Sequence, residues 1–220
     1  MKLIQSAALA AVLGLATATS TYAQDVTLRF QHFISPKGAV PSLFMAPWAE
    51  KIMADSDGRI KVELYPAMQL GGAPPALFDQ IRDNVIDGGW AIPGYTPGRF
   101  PMAEVFELPF IGSTSAEDTS RAVFEFYEKY MTEELKDVKV LAVHVHGPGV
   151  IHTKDVTIDS LDDFAGLKLR APTRTGAKIL GALGATPVGM PVPQLPEAIS
   201  KGVVDGGVIP WEIVPPLKMH

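Results

Sequence analysis

Arg170 is the residue of this sequence whose type and position best match a defined chemistry. It ends the stretch "LKLR" (167–170), in which apolar and basic residues alternate as in a β-strand with one polar face. A guanidinium presents a rigid fork of N–H donors that binds a carboxylate through two parallel hydrogen bonds. The pattern alone favours a solvated surface arginine beside Asp162 and Asp163, because charged side chains are rarely buried.

Three histidines offer a second chemistry. His144 and His146 alternate on a predicted strand and His152 follows shortly after, so the three imidazoles could form a zinc site. The alternative is that they occupy ordinary polar positions near a hinge, and we prefer it because no acidic partner stands at a suggestive spacing. The sequence therefore predicts no metal site and no cofactor.

Catalytic motifs are missing from the sequence. It contains no Cys, no G-x-S-x-G, no S-x-x-K, no H-E-x-x-H and no phosphate-binding loop. The formal net charge is -5 and no basic run occurs, so a nucleic acid is not an expected partner. These features predict a protein that is not an enzyme and has no catalytic residues.

The first 23 residues have the pattern of a secretory signal peptide. Lys2 precedes an apolar run, and Thr21 and Ala23 are small residues placed for cleavage after Ala23. Because these 220 residues contain no cysteine, we expect neither disulfides nor a lipid-anchoring thiol. We expect a periplasmic protein that has no direct membrane insertion once the signal is removed.

The elements that must position Arg170 alternate between strands and helices, which predicts an α/β fold with mostly parallel sheets. The phrases "VIDGGWAIPG" (85–94) and "VVDGGVIPWE" (203–212) repeat one corner, in which glycines are expected to supply backbone angles closed to other residues. The apolar stretch "VKVLAVHV" (138–145) is predicted to be a central strand. We predict two similar lobes, residues 24–146 and 147–220, joined by hinge-crossing strands, with a ligand cleft between them.

Local signals predict two of the helices. Phe44, Trp48 and Ile52 stand four residues apart and form an apolar helical stripe, and Pro47 is expected to kink or restart that helix. Ser115 and Asp118 resemble a capping box, which predicts the start of a second helix.

The combination of several motifs resembles the solute-binding (DctP-type) proteins of tripartite ATP-independent periplasmic (TRAP) transporters. The motifs are "GRIKVELYPAMQLGG" (58–72), "ELPFI" (107–111), "GLKLRAPT" (166–173), "LGALGATPVGMP" (180–191) and "AISKGVVDGG" (198–207). The resemblance implies a two-lobed protein that captures an organic acid and delivers it to TRAP membrane permease subunits driven by an ion gradient. It also implies that Arg170 holds the ligand carboxylate. Members of the family are longer, so we expect an incomplete second lobe and a sequence truncated at its C-terminus. An ABC-type binding protein is the alternative with a similar fold.

Departures from the family pattern point to an apolar pocket. The stretch "GPGVIHT" (147–153) lacks the second arginine of many members, and "DGGVIPWE" (205–212) replaces a more polar corner. We therefore expect a small or hydrophobic monocarboxylate, such as an aromatic or keto acid. The remaining candidate ligand contacts follow from their positions in loops and corners: Phe33, Gln69, Trp90, Pro172, Val192, Trp211 and Glu212.

Overall fold

The first part of the protein builds a small parallel sheet. The computed structural model describes residues 24–219, so the predicted signal peptide lies outside the described residues. Strand order is β2-β1-β3, and both neighbours pair with β1 in parallel. Parallel pairing needs a crossover between strands, and helices supply it here. The elements of this unit are β1 (Val26–His32), α1 (Ala46–Asp55), β2 (Ile60–Tyr65), α2 (Leu77–Arg82) and β3 (Gly88–Trp90).

Helix α1 restarts at a proline, as the sequence suggests. A π-helical turn, Val40–Met45, precedes it, and Pro47 in its first turn lacks the N–H that would continue the preceding hydrogen-bond ladder. The predicted apolar stripe is confirmed in part: Trp48 packs against Phe30 of β1 with ring centroids 5.1 Å apart, whereas Phe44 is 54% exposed. Met45 and Ala49 are buried and also stand four residues apart, so periodicity alone could not show the full width of the buried face.

The middle of the protein has one longer helix, α3 (Ala116–Phe126), which continues as a π-helical turn. Ser115 caps α3 by accepting a hydrogen bond from the backbone N–H of Asp118, as predicted. The predicted strand over 138–145 is wrong: the segment has no regular secondary structure. Its apolar residues favour a strand, but no strand within 24–219 pairs with it, and Leu141 is 62% exposed.

The second part of the protein builds a four-stranded mixed sheet. Strand order is β4-β7-β5-β6, in which only the β4–β7 pairing is antiparallel. The prediction of mixed, mostly parallel sheets is therefore confirmed. The elements of this unit are β4 (Val150–Thr153), β5 (Lys168–Ala171), α4 (Arg174–Ala182), β6 (Thr186–Gly189), α5 (Leu195–Ser200) and β7 (Gly206–Ile209).

The repeated phrase marks the same corner in both sheets. In each unit a strand–helix–strand–helix–strand run places its first strand in the middle, giving β2-β1-β3 and β6-β5-β7. Gln31 pairs with Gly89 in the first sheet, and Arg170 pairs with Gly207 in the second. Arg170 and the buried Gln31 therefore occupy equivalent positions on the two central strands.

The aspartates of the two corners also play matching roles. The Asp87 carboxylate accepts a hydrogen bond from the Arg29 backbone N–H at 2.8 Å, and Asp205 accepts one from Lys168 at 2.8 Å. Each aspartate N–H also donates to the carbonyl of the same partner. The Asp residue therefore ties the start of the returning strand to the central strand.

The glycines of these corners serve close approach rather than unusual backbone angles. None of them has a left-handed φ, contrary to the sequence expectation. A Cβ at Gly89 would lie 2.6 Å from the Gln31 carbonyl oxygen, and one at Gly207 would lie 2.8 Å from the Arg170 Cβ. Side chains are excluded here because the neighbouring strand is too near.

One hydrophobic cluster joins the two units. Leu77 on α2 and Leu195 on α5 are both fully buried in it, and they stand at equivalent positions before the two corners. Phe33 and Tyr95 from the first unit meet Val192 from the second. Within residues 24–219, no helix is both long and apolar enough to cross a membrane.

Candidate functional site

Arg170 lies on β5 and is almost fully buried, with 2% of its surface exposed. Its Nε donates to the carbonyl of Met190 at 2.9 Å and its Nη1 donates to the carbonyl of Val208 at 2.7 Å. One carbonyl follows β6 and the other belongs to β7, the two strands that flank β5. The guanidinium is therefore held in a fixed direction by the sheet itself.

This buried cation has no internal counter-charge in the described part of the protein. No carboxylate of residues 24–219 forms an ion pair with Arg170. Burial lowers the pKa of Arg170, but a guanidinium stays protonated at neutral pH. A buried, unpaired charge is costly, and an anion that binds beside it relieves that cost.

An aromatic cluster of the first unit reaches Arg170 through Tyr95. The Tyr95 hydroxyl lies beside the guanidinium and accepts a hydrogen bond from the Val192 N–H at 3.1 Å. Phe33 meets Tyr95 edge-on at 5.8 Å and stacks on Trp90 at 4.8 Å between ring centroids. The surroundings of the cation are therefore mostly apolar, which strengthens its electrostatic interactions.

A second contact between the units lies at the start of α4. Arg174 donates from Nε to Oε2 of Glu104 at 2.8 Å, and its Nη2 donates to the same oxygen. The Gly98 N–H donates to the other carboxylate oxygen at 2.8 Å. Burial opposes ionisation of Glu104, but the Gly98 amide and the Arg174 guanidinium together lower its pKa.

Glu107 stands next to this ion pair and behaves differently. Its carboxylate lies beside the hydroxyls of Thr173 and Thr175, while its buried Oε2 has no hydrogen-bond partner among the described residues. Burial raises the pKa of Glu107. Of the two neighbouring acids, Glu104 is thus stabilised in its charged form and Glu107 in its neutral form.

The other sequence-predicted residues fall into two groups. Phe33 and Val192 are buried close to Tyr95, and Trp90 is half-buried against Phe33. The other four lie apart from this cluster. Trp211 is 65% exposed and meets the His152 ring edge-on, and Glu212 is exposed and accepts a hydrogen bond from the Gly147 N–H. Gln69 is exposed, and Pro172 is half-buried before α4.

The three histidines do not converge. Each imidazole has a ring nitrogen beside a different backbone carbonyl oxygen. The pairs are His144 with Val145, His146 with Gly147, and His152 with Ile209. No group of three or more potential ligands among residues 24–219 is placed to hold a metal ion. The geometry gives the zinc alternative no support.

Sequence reasoning missed Tyr95, Glu104 and Arg174. Tyr95 closes the loop "GGWAIPGY" (88–95) after the first corner, so its place at the end of that loop was the available signal. The Glu104–Arg174 pair left no local signal, because its members are far apart in sequence and meet only through the tertiary fold.

Two α/β units with the same strand order, joined over a buried cation, have the architecture of a solute-binding protein. The chain belongs to the bacterial extracellular solute-binding proteins of family 7, the DctP family, whose profile matches residues 30–220. The resemblance to DctP-type TRAP solute-binding proteins that its motifs indicated is therefore confirmed.

Solved structures of similar proteins contain aromatic acids. One is a TRAP solute-binding protein from a marine metagenome, which is specific for aromatic acid ligands and was crystallised with 3-hydroxybenzoate. It is 54% identical to this chain with a TM-score of 0.86, and the alignment covers 90% of this chain and 62% of that one. A TRAP solute-binding protein from Rhodoferax ferrireducens, complexed with copurified benzoate, is 54% identical with a TM-score of 0.85; the alignment covers 88% of this chain and 60% of that one.

A curated relative is similar over a comparable range. The outer membrane transporter protein TsaT of Comamonas testosteroni is 30% identical over 205 residues, which cover 92% of this chain and 59% of that protein. The chain therefore spans about 60% of the length of the proteins it matches.

Proposed function

We propose that this protein captures an aromatic monocarboxylate in the periplasm and delivers it to the membrane subunits of a TRAP transporter. The observation that carries the proposal is Arg170: a buried, oriented guanidinium with no carboxylate partner among residues 24–219. One such fork matches one carboxylate.

The apolar surroundings support an aromatic ligand. Phe33, Trp90 and Val192 belong to the apolar cluster around Tyr95, the residue beside the cation. Two relatives of 54% identity were crystallised with hydroxybenzoate and benzoate. Ring faces pack well on aromatic side chains in offset or edge-on arrangements. Benzoate and its hydroxylated derivatives are therefore the proposed ligand class.

The proposed mechanism is capture without chemistry. Arg170 belongs to the second unit and the aromatic residues belong to the first, so a ligand that contacts both favours the arrangement in which the two units are close. Residues 1–23 direct export, residues 24–146 and 147–220 form the two lobes, and the protein performs no catalysis.

Isothermal titration calorimetry with benzoate and 3-hydroxybenzoate tests the proposal. Removing one partner of a buried charge pair costs about 2–5 kcal/mol, so Arg170→Ala should weaken binding by about thirty- to several-thousand-fold. Arg121→Ala is the matched control, because Arg121 has an exposed side chain on α3. A loss below about threefold for Arg170→Ala would contradict the assignment.

Transport in vesicles that contain the cognate permease separates the TRAP proposal from the ABC-type alternative. Uptake that collapses with an ionophore and needs no ATP supports a TRAP permease. Uptake that requires ATP hydrolysis and survives the ionophore would reject it.

A further inference from the structure

The hydroxyl proton of Tyr95 is a buried hydrogen-bond donor whose role the fold does not account for. Tyr95 has 9% of its surface exposed and lies in the helical turn Pro93–Tyr95 that follows β3. Its oxygen accepts a hydrogen bond from the Val192 N–H at 3.1 Å and stands beside the Arg170 guanidinium. The Val192 N–H thus occupies one acceptor position of the oxygen and the neighbouring guanidinium offers no acceptor, so the hydroxyl proton is left to be donated elsewhere.

That proton has no acceptor in the described part of the protein. The Tyr95 hydroxyl donates no hydrogen bond to a residue in the range 24–219. Buried polar groups are nearly always satisfied, so an unused donor at a ligand site indicates an acceptor that arrives with the ligand. Arg170 likewise uses two N–H groups on carbonyls and keeps the others for a further acceptor.

We propose that Tyr95 is a second ligand-positioning residue, which donates its hydroxyl proton to the carboxylate held by Arg170. This inference rests on the proposed function and specifies its selectivity. Two adjacent hydrogen-bond donors favour a ligand group that contains only acceptors, such as an ionised carboxylate. They disfavour an amide, because its NH₂ group would face a donor.

The position of Tyr95 also explains how one carboxylate connects both units. Tyr95 follows the edge strand β3 of the first sheet, whereas Arg170 lies on the central strand of the second. The Tyr95 ring packs edge-on against Phe33, which restricts the positions that its hydroxyl can take. A bound carboxylate therefore bridges donors from the two units, and loss of either donor should appear mainly as faster dissociation.

Tyr95→Phe tests the inference because it removes the hydroxyl and keeps the ring. A hydrogen bond to a charged group is worth about 1.5–3 kcal/mol, so benzoate affinity should fall about ten- to a hundred-fold. The preference for benzoate over benzamide should fall by a similar factor, which a loss of packing would not produce. Tyr65→Phe is the control, because the Tyr65 hydroxyl donates to Glu63 at the end of β2.

The outcomes separate this inference from the proposed function. If the wild type does not bind benzoate, the proposed function fails; if it does and Tyr95→Phe leaves the benzoate-to-benzamide ratio unchanged, only the role of Tyr95 is overturned. Should Tyr95→Phe not fold by circular dichroism, replacement of all tyrosines by 3-fluorotyrosine keeps the contact with Val192 and strengthens the donor. Benzoate binding should then tighten, and unchanged affinity would overturn the inference.

Discussion

The ion pair between Glu104 and Arg174 should contribute measurably to stability, because one of its members is buried. The Glu104 side chain is 10% exposed and the Arg174 side chain is 48% exposed. We would replace Glu104 by Gln and Arg174 by Met, singly and together, since these changes keep most of the side-chain volume.

The expected magnitude follows from burial. A hydrogen bond to a charged group contributes about 1.5–3 kcal/mol, and exposed pairs contribute about 0.2–1 kcal/mol. With one partner half-exposed, we expect a coupling free energy of about 1–2 kcal/mol. In a protein of this size each kcal/mol corresponds to about 2–4 °C in Tm, so breaking the pair should lower Tm by about 2–8 °C.

Urea unfolding of the four proteins gives the coupling as a double-mutant cycle. The matched control is the Glu117–Arg121 pair on α3, whose side chains are both 74% exposed at an Nη2–Oε1 distance of 2.6 Å. Its coupling should be much weaker than that of the Glu104–Arg174 pair, because solvent screens exposed charges, and it should vanish in about 1 M salt. Equal couplings in the two cycles would refute the argument that burial decides the difference.

The pH dependence of the same cycle has a defined sign. The pKa of Glu104 is lowered in the folded state, so the stabilisation from the pair is present above the ordinary glutamate pKa. It should be lost as the pH falls through the lowered pKa. A coupling that persists in strong acid would mean that the interaction is not ionic.

Three further outcomes are expected. Gly207→Ala should lower the unfolding free energy by about 1–3 kcal/mol, because its Cβ would meet Arg170, whereas Gly181→Ala, in open space on α4, should raise it by about 0.5–1 kcal/mol in chemical denaturation. Glu107→Gln should raise Tm relative to the wild type by an amount that grows as the pH rises from the ordinary glutamate pKa through the raised pKa of Glu107, because only the wild type must then bury a charge. A difference in Tm that does not depend on pH would refute this. Trp211→Ala should change the unfolding free energy by less than about 0.5 kcal/mol, since that side chain is 65% exposed, and a loss above about 2 kcal/mol would show that it packs in a core.

Local patterns in the sequence were sufficient for much of the fold. The alternation in "LKLR" (167–170) predicted β5, Ser115 predicted the start of α3, and the repeated corner predicted two units of one plan. Such signals are readable because strand periodicity, helix caps and turns depend on neighbours within a few residues. The motif combination also identified the family.

Contacts between distant residues decided what those patterns left open. Residues 138–145 have the composition of a strand, yet a strand also needs a neighbouring edge with which to pair. The corner glycines suggested unusual backbone angles, whereas the structure shows that they admit a close neighbouring strand. Periodicity likewise placed Trp48 on the side of α1 that faces the sheet, but it could not show that Phe44 is exposed.

The candidate site shows the same division. That Arg170 sits on a strand could be read from its sequence neighbours, whereas its burial depends on β6 and β7, which flank it from later in the sequence. Tyr95 joins the site from 75 residues earlier, and only the packing of the two units brings its hydroxyl to the guanidinium. Local propensity places a side chain on an element, but its burial and its electrostatic partners are set by which elements pack together.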